Sequence, residues 1–470
     1  MNEDFTHIEP PKSSKEVIGK APLDVIPFEE KGFFVSAEVQ ANKDRVKRHS
    51  HEVENVMQLA SGIEGGLESL LDEGADDDRI LKERKILSQS RVIIRGLVNV
   101  PSINNVEQIY LDDEKEPKIA YAKSEMGESF YVFEDDGRVM RQRRVINEDG
   151  EIEVIKNEVM NRQVAAALKI RREKEAMRRA ETASYYNISM DEVPVDDTEM
   201  GVKYMDQGHA VKSEYFSSVL DTMLRFKVSQ PTAIRKEEGA LVSVQAHAQG
   251  KALGSKELEN FLDNKSNIDG AESLMRIACL DFLIKQADRN HDNIFYDDVT
   301  KSFRGIDNGG ANQLSRAGEL VMPNGEIYKM GMPVDYYNSI PMDMVGMDSD
   351  WQLDKKAYES LRNLYENILN YVKFIYGQLS EEEAGQLSEH VKQGVEARMI
   401  SDMYRMMHER MDENGNVIPE TRVIAQKEAD EFMKRLMLLL VNKRPPTLGV
   451  KYYDKKPLDI YKKILERRGK

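Results

Sequence analysis

One stretch, Cys279 to Gly310 (CLDFLIKQADRNHDNIFYDDVTKSFRGIDNGG), limits what this 470-residue chain can fold into. It follows an apolar helical pattern over Ala271–Ala287, in which Leu274, Ile277, Leu280, Phe282 and Ile284 recur as expected core positions. Two polar knots come next, Asp288-Arg289-Asn290-His291-Asp292-Asn293 and Ile306-Asp307-Asn308-Gly309-Gly310, with Asp307 19 positions after Asp288. A helix, a polar loop, a short strand from Ile294 to Tyr296, a turn and a second short strand would bring Asp288, Asn293 and Asp307 together. Two carboxylates and an amide oxygen are hard ligands, suited to Mg²⁺ bound with phosphates rather than to zinc. Either knot alone also reads as an Asp/Asn turn beside a short strand. Both in order behind an apolar helix point further. Asp281, two turns before Asp288, is placed to anchor the loop by hydrogen bonds.

Composition narrows the function classes. The formal net charge of −16 argues against general nucleic-acid affinity and against a broad anionic-membrane surface. The single cysteine, Cys279, makes an internal disulfide impossible and reads as a buried, inert thiol. The start of the sequence lacks the basic-then-apolar run of a signal peptide. No window of about 18 apolar residues exists, so no membrane span and a cytoplasmic setting are expected. The longest greasy run, Phe432 to Val441, is broken by Lys434 and Arg435.

In chain order, residues 1–40 read as an irregular leader and residues 41–90 as charged helices packed on the main body. β-Branched residues then dominate. Val92-Ile93-Ile94, Val106–Leu111 and Lys118–Lys123 read as strands, with an acidic turn between the last two. Residues 129–210 look like an insertion: a hairpin about Asp135-Asp136-Gly137, then a long basic helix over 153–183 and a loop. Phe216, Val219, Leu220, Met223 and Leu224 form a helical stripe that Pro231 ends ahead of a strand. Leu241–Ala248 reads as another strand. The segment from Gly310 to Trp351 holds no readable motif, and its methionines read as flexible packing. Beyond Leu353 the chain reads as helical. Ser380 and Glu383 form a capping box, Asn414-Gly415-Asn416 a break, and Pro445-Pro446 a stop.

D-R-x-x-x-N followed by I-D-N-G resembles the catalytic and metal loops of the atypical kinases, the superfamily of phosphatidylinositol 3-/4-kinase-like and HipA-like enzymes. The usual third residue of the first motif is His, whereas this chain has Asn290. The resemblance implies that Asp288 orients or deprotonates an acceptor hydroxyl and that Asn293 and Asp307 hold Mg²⁺ on ATP phosphates. It extends to the strand Lys118–Lys123, whose Lys123 would contact those phosphates, and to the helix beginning at Ser213. Glu214 would pair with Lys123. Glu158 and Glu181 are rivals, and Glu214 is preferred for its spacing to Pro231. Gln245, Ala246, His247 and Ala248 would form the hinge that receives adenine through backbone groups. The phosphate-covering loop would be Val100–Asn105, which has no glycine.

The resemblance spans roughly residues 95–128 and 211–345. It implies an α+β, two-lobed protein-kinase-like fold with a large N-lobe insertion and helical N- and C-terminal extensions. The expected divisions are 1–92 (leader and helical appendage), 93–249 (N-lobe) and 250–470 (C-lobe with its extension). The expected activity is ATP- and Mg²⁺-dependent phosphorylation of a protein Ser/Thr hydroxyl, with a protein substrate as partner and no nucleic acid. A phosphatidylinositol-type lipid acceptor, transfer of AMP, and a nucleotide-binding pseudokinase or scaffold are the alternatives. Oligomeric state is left open.

Overall fold

The structure, a computed structural model, describes residues 37–71, 75–97, 106–113, 117–125, 129–133, 139–146, 152–158, 180, 208–252, 268–286, 289–312, 316–321, 327–334, 339, 341–342, 353–445 and 447–448. The chain divides into two units, 1–41 and 42–470. The described residues of the first are 37–41, and all that follows concerns the second. It is a mixed α+β structure with antiparallel sheets and many helices.

Strands β1 (Val92–Leu97), β2 (Val106–Leu111) and β3 (Lys118–Ser124) form an antiparallel meander. Helix α3 (His209–Leu224) and strands β7 (Thr232–Glu237) and β8 (Ala240–Ala246) follow much later in sequence. β8 inserts between β3 and β7, giving the order β1-β2-β3-β8-β7. Register sets Lys123 opposite Val106 on one side and Ser243 on the other. Period-two alternation sends buried Ala120 and Ala122 to one face and Lys123 to the opposite one. Ala120 and Ala122 pack with Ile109, Leu111, Val242, Val244 and Leu87, the last from α2 (Ala75–Gln89). Arg235 of β7 fastens that helix, donating to the carbonyls of Leu87, Ser90 (2.7 Å) and Ile86 (3.1 Å) at its C-terminal end.

The larger core joins α1 (Ala37–Leu70), α3, α4 (Ile268–Ile284), α5 (Lys355–Ile375), α8 (Val395–His408) and α9 (Pro419–Asn442). The apolar stripes explain it. Val53, Val56, Leu59, Ile63 and Leu67 of α1 and Leu274, Ile277, Leu280, Phe282 and Ile284 of α4 are all buried. Thus α1 and α2 share their cores with the rest of the unit. Cys279 is fully buried, and that burial pushes its thiol well up. Among the described residues no helix is long and apolar enough to cross a membrane.

Between β3 and α3 lies a separate three-stranded sheet of β4 (Ser129–Phe133), β5 (Val139–Ile146) and β6 (Ile152–Glu158). β6 corrects the helix expected from residue 153. Ile152, Val154 and Ile155 are β-branched, and the chain pairs from Ile146↔Ile152 to Met140↔Glu158. The rest of that expected helix, helical Ala180 apart, lies outside the described residues, as do Glu181 and Val100–Asn105. β9 (Lys251–Ala252) pairs with β10 (Ile294–Asp297), which forms a hairpin with β11 (Ser302–Gly305). β12 (Arg316–Val321) and β13 (Ile327–Val334) form a second hairpin, unannounced by any motif, and β14 (Thr447–Leu448) joins its edge.

The helix opened by the Ser380–Glu383 capping box is real but short, α6 (Glu381–Gln386). It is followed by α7 (Glu389–Lys392) and α8 rather than running to Asn414. The break at Gly394 has a cause. Its φ is +64°, and a Cβ there would meet the Tyr371 ring. The stripe on α5 is also shorter than expected: Leu361, Leu364 and Ile368 are buried, while Val372 and Ile375 are exposed.

α3 ends in a left-handed Arg225, and Asp221 in its last turn is buried and accepts from the Val228 amide at 3.1 Å. Burial pushes the Asp221 carboxyl up to about 7, against the pull of the Val228 and Ser229 amides and of Arg304 and Arg276. A raised acid holds its proton more tightly in the folded state. Stability therefore declines as pH rises from the ordinary value of 3.8 to about 7, and is flat above. The slope is at most about 1.4 kcal/mol per pH unit from this group. Asp221→Asn is expected to flatten it: melting temperatures of variant and parent should converge near pH 4, with the variant higher at pH 8.

Candidate functional site

The site is assembled from three distant segments. Lys123, at the end of β3, reaches Glu214 of α3 and Asp307 beyond β11. Its Nζ donates to Glu214 Oε1 at 2.7 Å and to Asp307 Oδ1 at 2.8 Å. The lysine is 13% exposed, Glu214 2% and Asp307 41%, so the cluster is closed behind Glu214 and open at Asp307. Burial alone would lower the Lys123 pKa. The adjacent Asp307 and Glu214 carboxylates outweigh it and hold the amine above its ordinary value. The same cation, chiefly, holds Asp307 below the ordinary carboxylate range against its own burial. The Lys123–Glu214 pairing expected from the sequence is therefore present. Its rival Glu158 lies on β6, in the separate sheet.

Behind Glu214, the Gln245 side-chain amide donates to Glu214 Oε2 and to Thr232 Oγ1, both at 3.3 Å. Gln245 thus serves the ion-pair cluster with its side chain, a role that its sequence position did not announce. Its backbone and that of Ala246 belong to the β8 ladder, and the Ala246 amide donates to the Pro231 carbonyl at 2.9 Å. His247 and Ala248 lie beyond the strand and are the two expected hinge residues clear of it. The His247 ring rests 5.7 Å from that of Tyr121, and burial lowers its pKa.

The loops around the knots are built on Arg289, which is 1% exposed. Its Nη2 bonds Asp281 Oδ1 at 3.1 Å and also reaches Asn308 Oδ1. Its Nη1 donates to the Asn293 carbonyl at 3.2 Å and to that of Ile306. Asp281, fully buried, also accepts from Ser339 Oγ at 2.7 Å, which bears out its role as the anchor. Gly305 lies under the guanidinium, where an added Cβ would stand 2.9 Å from Arg289 Cζ. The Ile306 amide donates to the Asn293 carbonyl at 3.0 Å. That bond extends the hairpin by a pair, so Asn293 and Asp307 sit one residue apart across it. Asp307 has φ +54°, a left-handed conformation that Asp tolerates better than most residues.

Asp288, the expected base, lies outside the described residues. Its flanks are described. Gln286 donates to the Asp307 carbonyl and to Asn308 Oδ1, both at 3.4 Å, and Arg289 binds Ile306 and Asn308. The two knots are tied to each other through those flanking residues. No group of three His, Cys, Asp or Glu residues that could hold a metal occurs among the described residues. Asp307, a partly exposed carboxylate held below its ordinary range, and Asn293, one residue away across the hairpin, are residue types that suit Mg²⁺ shared with phosphate oxygens.

No protein-family model and no curated protein sequence matches the chain. Among solved structures, it resembles the one titled "Crystal structure of A Helicobacter pylori proinflammatory kinase CtkA" at 10% sequence identity and a TM-score of 0.27, over 73% of this chain and 98% of that one. The site geometry, and not this resemblance, carries the functional reading.

Proposed function

We propose that the chain is an ATP- and Mg²⁺-dependent phosphotransferase of kinase-like, two-lobed build. Residues 93–249 form one lobe, 250–470 the other, and a cytoplasmic protein Ser/Thr hydroxyl is the acceptor. One observation carries it. Lys123 is held between Glu214 and Asp307, partners 91 and 184 residues away in sequence. Phosphoryl transfer needs a cation on the phosphates, a carboxylate that orders that cation, and a carboxylate facing the metal. Lys123, Glu214 and Asp307 have those three characters in one place. Asp307 and Asn293 would hold Mg²⁺, which neutralises phosphate charge when bound. ATP phosphates would compete with Asp307 for the Lys123 ammonium and leave Glu214 as its fixed partner. Asp288 would accept or orient the hydroxyl proton. His247 and Ala248 would offer backbone groups to adenine. The net charge of −16 favours a protein acceptor over one in an anionic lipid surface.

The test is incubation of the full chain with γ-labelled ATP and Mg²⁺ and a generic protein acceptor, beside Asp288→Ala. Transfer by the parent and loss on the order of 10³-fold in the variant, with ATP binding kept, is the expected result. Equal turnover would remove Asp288 from the role of base. Added AMP rather than phosphate in the product mass would replace the reaction. Mg·ATP binding without transfer would favour a scaffold.

A further inference from the structure

The helix that carries Glu214 is gripped from outside by the two N-terminal helices. Arg84 of α2 is 1% exposed. Its guanidinium makes a two-point contact with Glu64 of α1, at 3.0 Å to Oε2 and 2.7 Å to Oε1. Its remaining nitrogen donates to Ser218 Oγ of α3 at 2.8 Å, and the group lies 5.4 Å from the centroid of the Tyr215 ring. Tyr215, the residue after Glu214, donates its hydroxyl to Glu64 Oε1 at 2.9 Å and to the Ala60 carbonyl at 3.2 Å. Thus Arg84 and Glu64 touch α3 at the neighbour of Glu214 and again one turn later.

From Ser218 the bonds continue inward. The Thr232 amide donates to Ser218 Oγ at 2.9 Å. Thr232 Oγ1 accepts from Gln245, Gln245 donates to Glu214, and Glu214 accepts from Lys123. A path of hydrogen bonds, joined through the covalent frame of Thr232, therefore runs from Arg84 to the lysine of the site. A bidentate Arg–carboxylate pair whose arginine is buried and seated on an aromatic ring has a fixed geometry that a lysine cannot copy. α1 also brings His49 Nε2 to 3.3 Å from Glu125 Oε1, two residues past Lys123, a close approach that is not a hydrogen bond. Glu125 in turn accepts from the Leu241 amide at 2.7 Å on β8.

We propose that α1 and α2 are a built-in positioning element for the nucleotide site: Arg84, locked to Glu64, sets α3 through Ser218 and Tyr215 and so sets Glu214 against Lys123. Arg84 is a positioning residue and touches no substrate. The inference rests on the phosphotransferase reading for its effect on ATP, and on geometry alone for its effect on α3.

The experiment uses the full chain and three variants, Arg84→Met, Arg84→Lys and Glu64→Gln, each assayed at least 10 °C below its own melting temperature. Mg·ATP affinity and KM and kcat for ATP are measured, with deuterium exchange over residues 209–224. We expect Arg84→Met to weaken Mg·ATP binding about 10-fold or more and to speed exchange across α3. Arg84→Lys should recover part of the stability and little of the affinity, and Glu64→Gln should fall between. If Arg84→Met does not fold, the other two variants carry the comparison. A brace with no bearing on the site would lower the melting temperature and leave affinity, KM and kcat at parental values, and that result overturns the proposal. Failure of the parent to bind Mg·ATP would instead overturn the phosphotransferase reading. Exchange over 209–224 would then decide the positioning claim alone, and parental rates in all three variants would overturn it.

Discussion

Arg289→Ala is expected to lower the unfolding free energy by about 3–5 kcal/mol, the usual cost of removing one partner from a buried ion pair. The size follows from what the side chain holds. It is buried and serves the carboxylate of Asp281, the carbonyls of Asn293 and Ile306 and the side chain of Asn308. Without it Asp281 keeps one strong donor, Ser339, and the carbonyls lose a charged one. Arg289→Lys should recover little, because an ammonium cannot span this fork of acceptors. A paired apolar replacement, Asp281→Leu with Arg289→Met, should regain part of the loss, since it strands no charge. Urea unfolding of the four proteins measures it. A loss below about 1 kcal/mol for Arg289→Ala, the level of an exposed pair, would contradict the account.

Asp307→Asn is expected to cut ATP turnover on the order of 10³-fold while leaving the melting temperature within a few degrees, a loss typical of removing one preorganised group that faces transition-state charge. Asparagine is the right replacement for a physical reason. Asp307 sits at φ +54°, which Asn adopts readily, whereas Ala would add about 1–2 kcal/mol of left-handed strain and blur the result. The side chain is 41% exposed, so no packing is lost, and Lys123 retains Glu214. What disappears is one charge at the position proposed to face Mg²⁺. Mg²⁺ titrations of ATP binding should show a weaker ion dependence in the variant. Parental turnover with parental Mg²⁺ dependence would remove Asp307 from the metal.

The sequence was most informative where local chemistry and long-range placement agreed. The strand ending in Lys123, the helix with Glu214 and the strand–turn–strand ahead of Asp307 each carry their own periodicity and turn residues, and the structure brings the three side chains together. It was silent where a role depends on a partner far along the chain. Nothing about Gln245 marks it as the bridge between Glu214 and Thr232, because that bridge exists only once β8 lies beside β7. Arg84 reads as one more charge on a polar helix until α1 and α3 close around it. β6 failed for another reason: Glu and Lys alternate among its β-branched residues, and its strand character depends on pairing with β5. The break at Gly394 was readable only with Tyr371 standing against it.

The separate sheet between β3 and α3 bears on how this chain tolerates changes in length. Lys123 and Glu214 meet across 91 residues, and closing a flexible loop grows more costly only with the logarithm of its length. Doubling or halving that excursion alters the closure entropy by only about 0.6 kcal/mol. The junction at Glu125 and Gly208 is therefore a port. A change in the length of the segment between them alters the cost of bringing the lysine and the glutamate together only slightly.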